Sequence, residues 1–569
     1  MTVKKIGRLE FQIVPGSEQL FTSNFAEFLI AAYDKFSTLI IELRKKREIV
    51  LSSAIKKQIM PNFLDNSDIR NKDWLIPKLP EELKKPGIEI TGPASITSMF
   101  INALNPGIDG VRAEAYLDDD EDSAGHRLVD TVTATINRWH AVDKSLTYHD
   151  KEKDKKYFIK DGDLPFFMHR ERGLSLDEQD VTVDGKPVPA TILGAALTIY
   201  YGGREQMKSG QGLYFYLPKL ESYEEADFWR QFFDFSKSYL QLSDTDEIRA
   251  IILIESLPIV YQMEEVLYAL GPYAAGLNAA RWDLKASIFE FVMSDPKAIW
   301  PDRFDVDVKT TPFLSNIFRR LVAVCLKRGA VPIGGMATAL PSKNSEINIA
   351  AAKSITEDKT WEANQGFLRA WVAHPFHMNP AAKPFKELSE SNWKPTPEMA
   401  VPENYPIDIQ NPEGKITMQG TKRNARMLIE YLEGWLNGRG SKGIDSLQGE
   451  PGIRPALMED LATGRMSVAQ IAQRIIHKVE AEDTGEKHDF NNVKKILNSE
   501  LLKIVNNLKK QKTETDEEKK LILETTKRYE KATTISMRWI KNYCEFNFRS
   551  LGSYTRQELE EIASEKDAF

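Results

Sequence analysis

The sequence predicts an α/β fold built on one (β/α)8 TIM barrel, and three observations carry that prediction. Eight short apolar runs of strand type lie between Gly87 and Pro375, each bounded by turn residues. The stretches between them are mostly helical or mixed, which fits a single barrel better than two doubly wound sheets. Polar residues gather at the ends of the runs: Arg170, Arg172, Glu221, Glu255, Asp283 and the Gly-Gly-Met at 334–336. In a barrel all C-terminal strand ends face one mouth, so residues far apart in the chain meet there.

The eight runs are IEITGP (88–93), VRAEAYLD (111–118), FFMHRERG (166–173), YFYLPKLE (214–221), RAIILIES (249–256), GLNAARWD (276–283), AVPIGGMA (330–337) and RAWVAHP (369–375). Ahead of them, residues 1 to about 85 read as mostly helical, with apolar residues at helical spacing through 23–57 and a basic run on the solvated side. A Pro-spaced linker, WLIPKLPEELKKPG, leads into the first strand. The connection after the second run is long, about 119–165, and opens on the acids at 118–122. Such a run reads as a solvated loop, the alternative being that one or two of its acids line the barrel mouth. Segment 376–423 is rich in proline and reads as a surface connection. The remainder, 424–569, reads as a separate set of amphipathic helices. The resulting division is 1–86, a barrel domain 87–380, a connection 381–423 and a C-terminal helical domain 424–569.

Composition narrows the function. The 569 residues are 42% hydrophobic and 28% charged, ordinary for a globular protein. A formal charge of −7 requires no basic face, which argues against a nucleic-acid partner. Two cysteines, Cys325 and Cys544, exclude a disulfide scaffold and suit a reducing compartment. The N-terminal segment lacks a long apolar core, no run approaches membrane-spanning length, and the last residues are not a peroxisomal tripeptide. The expectation is a cytoplasmic enzyme with no membrane partner.

The stretch from Arg249 to Asp283 carries the chemistry. Two apolar runs each finish on one carboxylate, Glu255 and Asp283, with a helical pattern between them. A buried carboxylate at a strand end is costly without a positive neighbour. Two acids converging on one barrel mouth therefore suit a hard cation. The alternative is that each caps the helix that follows or pairs with a Lys or Arg. In the C-terminal region Asp460 follows an apolar Ala-Leu-Met at a helix start. It reads either as an N-cap or as a catalytic acid on a helical domain that closes over the mouth.

Many ordered segments then fit one family. They include EITGP at 89–93, INALN at 101–105, RERGLSLDEQDVTVDGKPV at 170–188, GLYFYLPKLES at 212–222 and IESLPIVYQMEEVLYAL at 254–270. They continue with GLNAARWD at 276–283, PDRFDV at 301–306, RGAVPIGGMATALPS at 328–342, WVAHP at 371–375, IEYLEGWLNGRG at 429–440 and LMEDLAT at 457–463. The sequence resembles the malate synthases of the shorter, A type, as a divergent member. That resemblance implies a TIM barrel with an N-terminal helical clasp and an all-helical C-terminal plug. It implies condensation of acetyl-CoA with glyoxylate and thioester hydrolysis, giving malate and CoA, with Mg2+ as cofactor. By position, Glu255 and Asp283 resemble the metal ligands, Arg170 the catalytic arginine and Asp460 the catalytic aspartate. The stretch Ala280, Arg281, Trp282 and Asp283 resembles the glyoxylate grip, and Ser123 and Pro375 match positions that touch CoA.

The chain also departs from the family pattern. Ala280 stands for a glycine, Asp120 for a phenylalanine and Ser175 for a histidine. AlaSerIleThrSerMet at 94–99 replaces a charged run, AALTIYYGGRE at 195–205 a Phe-rich strand, and LQGEPGIRP at 447–455 reads as an insertion. Two other readings follow: a related acyl-CoA condensing enzyme or lyase with another 2-oxo acid or acyl-CoA, or a non-catalytic binding protein.

Overall fold

The computed structural model describes residues 2–65, 67–243, 245–445, 447, 452–511 and 515–565. They form two compact units, each discontinuous in sequence: residues 1–49, 61–280 and 316–406 in one, and 50–60, 281–315 and 407–569 in the other.

The first unit holds a closed barrel of eight parallel strands in strict chain order. They are β1 (Gly87–Gly92), β2 (Ala115–Asp119), β3 (Phe166–Arg170), β4 (Leu213–Leu217), β5 (Ile248–Ile254), β6 (Ala274–Ala279), β7 (Val331–Ala337) and β8 (Arg369–Val372). Each falls within or against one of the eight apolar runs. β5 reads IRAIILI and is buried at every position, the mark of a parallel strand covered on both faces. β8 returns to β1 with Trp371 opposite Glu89, and β2 pairs with β3 with Asp119 opposite Arg170. The barrel interior carries an ion pair: Arg369 Nε donates to Glu89 at 2.9 Å, and Tyr216 OH and Trp371 Nε1 donate to its other oxygen.

Three segments differ from the sequence reading. Residues 3–12 are not helical: Val3–Ile6 and Leu9–Gln12 form a hairpin that joins Asp177–Val183 and Lys186–Pro189 in a four-stranded antiparallel sheet. The alternation of buried Leu9 and Phe11 is strand periodicity, too short to stand out beside the 35-residue helix Ser23–Lys57. The proline-rich stretch after β8 begins with a 13-residue helix, Met378–Glu390, which buries Met378, Ala381, Ala382 and Phe385. Pro380 sits in its first turn, where a missing N–H costs nothing. The long connection after β2 contains the helix Leu128–Val142 and the hairpin Thr147–Asp150 with Lys155–Phe158.

The second unit is helical apart from a short ribbon. Its helices include α1 (Arg281–Val292), α2 (Met418–Leu436), α3 (Leu461–Ile476), α4 (Phe490–Lys509) and α5 (Asp516–Cys544). α3 packs against α1, α2 and α5, and α2 also against α4 and α5. Lys442–Ile444 and Leu457–Glu459 pair antiparallel. Of the insertion at 447–455, residues 448–451 lie outside the described residues. Among the described residues no helix is long and apolar enough to cross a membrane.

Candidate active site

The C-terminal ends of β2, β3, β4 and β5 bring together acids and bases from four distant stretches. Asp119 closes β2, Arg170 closes β3, Lys219 lies two residues past β4, and Glu255 follows β5 directly. The acids at 118–122 are not a solvated loop: all five are at most 2% exposed. The run starts inside a barrel strand, and each acid meets a donor there. Asp118 pairs with Arg138 and accepts from Ala94 N–H at 2.8 Å. Asp120 accepts from Thr131 Oγ1 at 3.1 Å and Glu121 from Gly173 N–H at 2.5 Å. Burial, with Asp118 and Glu171 nearby, pushes the Asp120 carboxyl up to about 8. Burial and Asp122 push Glu121 up to about 7.

Arg170 is 3% exposed and held on three sides. Its Nε and Nη2 donate to Asp119 at 2.8 and 2.6 Å, and Nη1 reaches Asp122 at 2.9 Å. Its guanidinium carbon lies 5.2 Å from the Trp371 ring centre. Burial works against the charged form, but Asp119 and Asp122 outweigh it and hold the guanidinium pKa well above its ordinary value. The group is thus a rigid, permanent positive charge.

Glu255 is 1% exposed and accepts from Lys219 N–H. The Lys219 ammonium lies 3.2 Å from both Asp122 oxygens and 3.4 Å from Glu255. Asp122 and Glu255 each offer an oxygen within 4.8 Å of the other. The two are hard oxygen donors from the C-terminal ends of β2 and β5, which suits Mg2+. Ser123 and Pro375, the expected CoA contacts, both lie at this end of the barrel. The Ser123 hydroxyl is committed to Asp119 at 2.5 Å, and Pro375 opens a 3-10 turn just after β8.

Ala280 links β6 to α1, whose first residues are Arg281, Trp282 and Asp283. Within the second unit, Asp283 is 3% exposed and accepts from Arg465 Nη1 at 3.2 Å. Arg465 is fixed by Glu290, to which it donates at 2.8 and 2.5 Å, and Tyr543 OH donates to the same carboxylate at 2.9 Å. The Trp282 ring has the Lys285 ammonium 4.4 Å and the Arg303 guanidinium 4.8 Å from its centre. Asp460 is the N-cap of α3: its carboxylate accepts from Thr463 N–H at 3.2 Å, and Thr463 Oγ1 accepts in return from Asp460 N–H. The capping reading of Asp460 therefore holds, and capping leaves acid–base chemistry open to it.

Sequence reasoning offered Asp119 and Asp122 only as the alternative to a solvated loop and missed Lys219 and Arg465. The signal for the first two was present, since the run at 118–122 ends a strand just as Glu255 does; Asp283, expected at a strand tip, lies instead in the first turn of α1 because β6 stops at Ala279. No sequence pattern marks Lys219 or Arg465.

The chain matches two family profiles, "Malate synthase, TIM barrel domain" over residues 166–401 and "Malate synthase, C-terminal" over 415–541. It is 32% identical over 472 residues to malate synthase A of Escherichia coli, covering 81% of this chain and 83% of that protein. Glyoxysomal malate synthase of Candida tropicalis is 35% identical over 463 residues, with 79% and 80% covered. Among solved structures, the magnesium/glyoxylate complex of Haloferax volcanii malate synthase aligns with a TM-score of 0.41 and 12% identity, covering 73% of this chain and 98% of that one. On the extent of the sequence matches, the chain belongs to the malate synthase family.

Proposed function

We propose that this protein condenses acetyl-CoA with glyoxylate and hydrolyses the thioester, releasing malate and CoA in the glyoxylate cycle, with Mg2+ as cofactor. The observation that carries this reading is the pair of buried carboxylates, Asp122 and Glu255, beside a permanently charged Arg170 at one end of the barrel. Asp122 and Glu255 are the proposed donors of the barrel unit, and Asp283 joins them as a ligand on the family resemblance. When bound, Mg2+ supplies Lewis-acid polarisation of the aldehyde carbonyl. The chain supplies the rest. Backbone N–H groups at the start of α1, from Ala280 to Asp283, bind the glyoxylate carboxylate, as helix N-termini do for anions. Asp460 takes a proton from the acetyl methyl group. Arg170 gives the developing enolate oxygen a fixed positive partner, a contribution of about 3 kcal/mol to the barrel chemistry. The C-terminal helical domain, 424–569, carries the base. Ser123 and Pro375 contact CoA. A cytoplasmic location suits Cys325 and Cys544, both free thiols.

Thiol release from acetyl-CoA, followed with and without Mg2+, tests the reading. Metal-dependent release with glyoxylate supports it. Release only with pyruvate or propionyl-CoA would move the enzyme to another substrate pair, and no release with any pair would leave a binding protein. Asp460→Asn sharpens the test, because asparagine caps a helix as well as aspartate does. The variant should keep its fold and its glyoxylate and Mg2+ binding while losing turnover; near-normal turnover would remove Asp460 from the base role.

A further inference from the structure

An apolar groove of about 730 Å3 opens at the opposite end of the barrel from Asp119, Arg170 and Glu255. Pro86, Val331 and Leu368, at or just before the starts of β1, β7 and β8, lie in its floor. Its walls come from the linker ahead of β1 and from the end of the helix Met378–Glu390 with the residues beyond it. Leu326, Phe367 and Phe385 form the interior, while Leu75 and Trp393 stand at the edge, 68% and 37% exposed. Two exposed leucine and tryptophan side chains over an open apolar floor are a recurring mark of a binding surface. The volume lies within the range of about 300–1,000 Å3 typical of small-molecule sites.

Polar groups on this groove are few, and its two charged ones are both cations, Lys78 and Lys84. Lys84 is paired with Glu81 at 2.6 Å. The Lys78 ammonium is exposed and feels the Glu81 carboxylate, which is itself bonded to Lys84 and so leaves the rim with a net positive charge. A nucleotide or sugar would leave its polar edges unsatisfied against such walls. A ligand with an extended apolar body and one terminal anion meets both features. We propose that the groove binds a long-chain aliphatic carboxylate, its tail along Leu326, Phe367 and Phe385 and its head group at Lys78. This site is independent of the proposed reaction, because it lies at strand starts and its test reads binding.

Dodecanoate titrated below its micelle concentration into the full chain is the direct probe, with tryptophan emission as the readout and dodecanol as the uncharged control. We expect a saturable one-to-one change that is lost in Trp393→Phe, with dodecanoate binding tighter than dodecanol. Lys78→Ala should weaken dodecanoate by about fivefold, the scale of one exposed ion pair, and leave dodecanol unchanged. Leu75→Glu, at an exposed position that folding tolerates, should weaken dodecanoate more than dodecanol. The proposal is overturned by absent or non-saturable binding or by equal affinity of wild type and Lys78→Ala for dodecanoate. A chain that self-associates through this face, shown by sedimentation and unaffected by dodecanoate, would overturn it in favour of a second copy as occupant.

Discussion

In the proposed metal site, Lys219 is the cation that stands against the carboxylates. Its backbone adopts φ +57°, a left-handed conformation uncommon for a side-chain-bearing residue, and this places the ammonium against both Asp122 and Glu255. A cation at this distance satisfies the carboxylates and also competes for them with a divalent ion. Lys219→Met should therefore tighten Mg2+ binding severalfold in calorimetry, whereas Asp122→Asn should weaken it. Unchanged affinity in both variants would remove Asp122 from the proposed donor set. Asp122→Asn also frees one side of Arg170, which keeps its two bonds to Asp119.

At the level of elements, β6 has no room for a side chain at Gly276. A Cβ on Gly276 would lie 2.2 Å from the Val331 carbonyl oxygen and 2.7 Å from Val331 Cγ2 on β7. The clash is with backbone, so no rotamer change relieves it. Gly276→Ala should cost about 1–3 kcal/mol, read as a lower denaturant midpoint. Because β6 leads through Ala280 into α1 and Asp283, the same variant should weaken Mg2+ binding more than its stability loss implies. α3 is the other element that links roles: it starts at Asp460 and, five residues on, presents Arg465 to Asp283 and Glu290. Arg465 thus ties the helix that carries the proposed base to the helix that carries a proposed metal ligand.

Across the whole molecule, acid lability has identifiable sources in the barrel unit. Burial, with Arg138 near, lowers His169 to about 3; burial lowers His126 to about 4 against its bond to the Glu121 carbonyl. Both values lie below that of an unfolded histidine, about 6.5. Below pH 6.5 the unfolded chain takes up protons that these native histidines refuse, so stability falls with pH until the native values are reached. Each contributes a slope of up to about 1.4 kcal/mol per pH unit. His169→Leu should flatten the decline in unfolding midpoint between pH 6.5 and about 3, and leave the part due to His126. A variant with the wild-type slope would show that His169 is not one of the sources.

By itself, the sequence determined the barrel, the order of its strands and the identity of Arg170, Glu255, Asp283 and Asp460 as candidates. It could do so because buried parallel strands must be continuous apolar runs with polar residues at their ends, while the roles of Arg170 and Asp460 came from the family resemblance. The hairpin at 3–12 was beyond it, since four-residue strands paired with Asp177–Val183 owe their form to a partner some 170 positions away. So was the helix Met378–Glu390, where local proline content outweighed an amphipathic face that only the barrel wall completes. Tertiary structure alone decided that the acids at 118–122 are buried, because an acidic run reads as solvated until Arg138, Arg170 and Lys219 arrive from elsewhere in the chain to neutralise it. Charge compensation is a property of neighbours in space, and a sequence lists only neighbours along the chain.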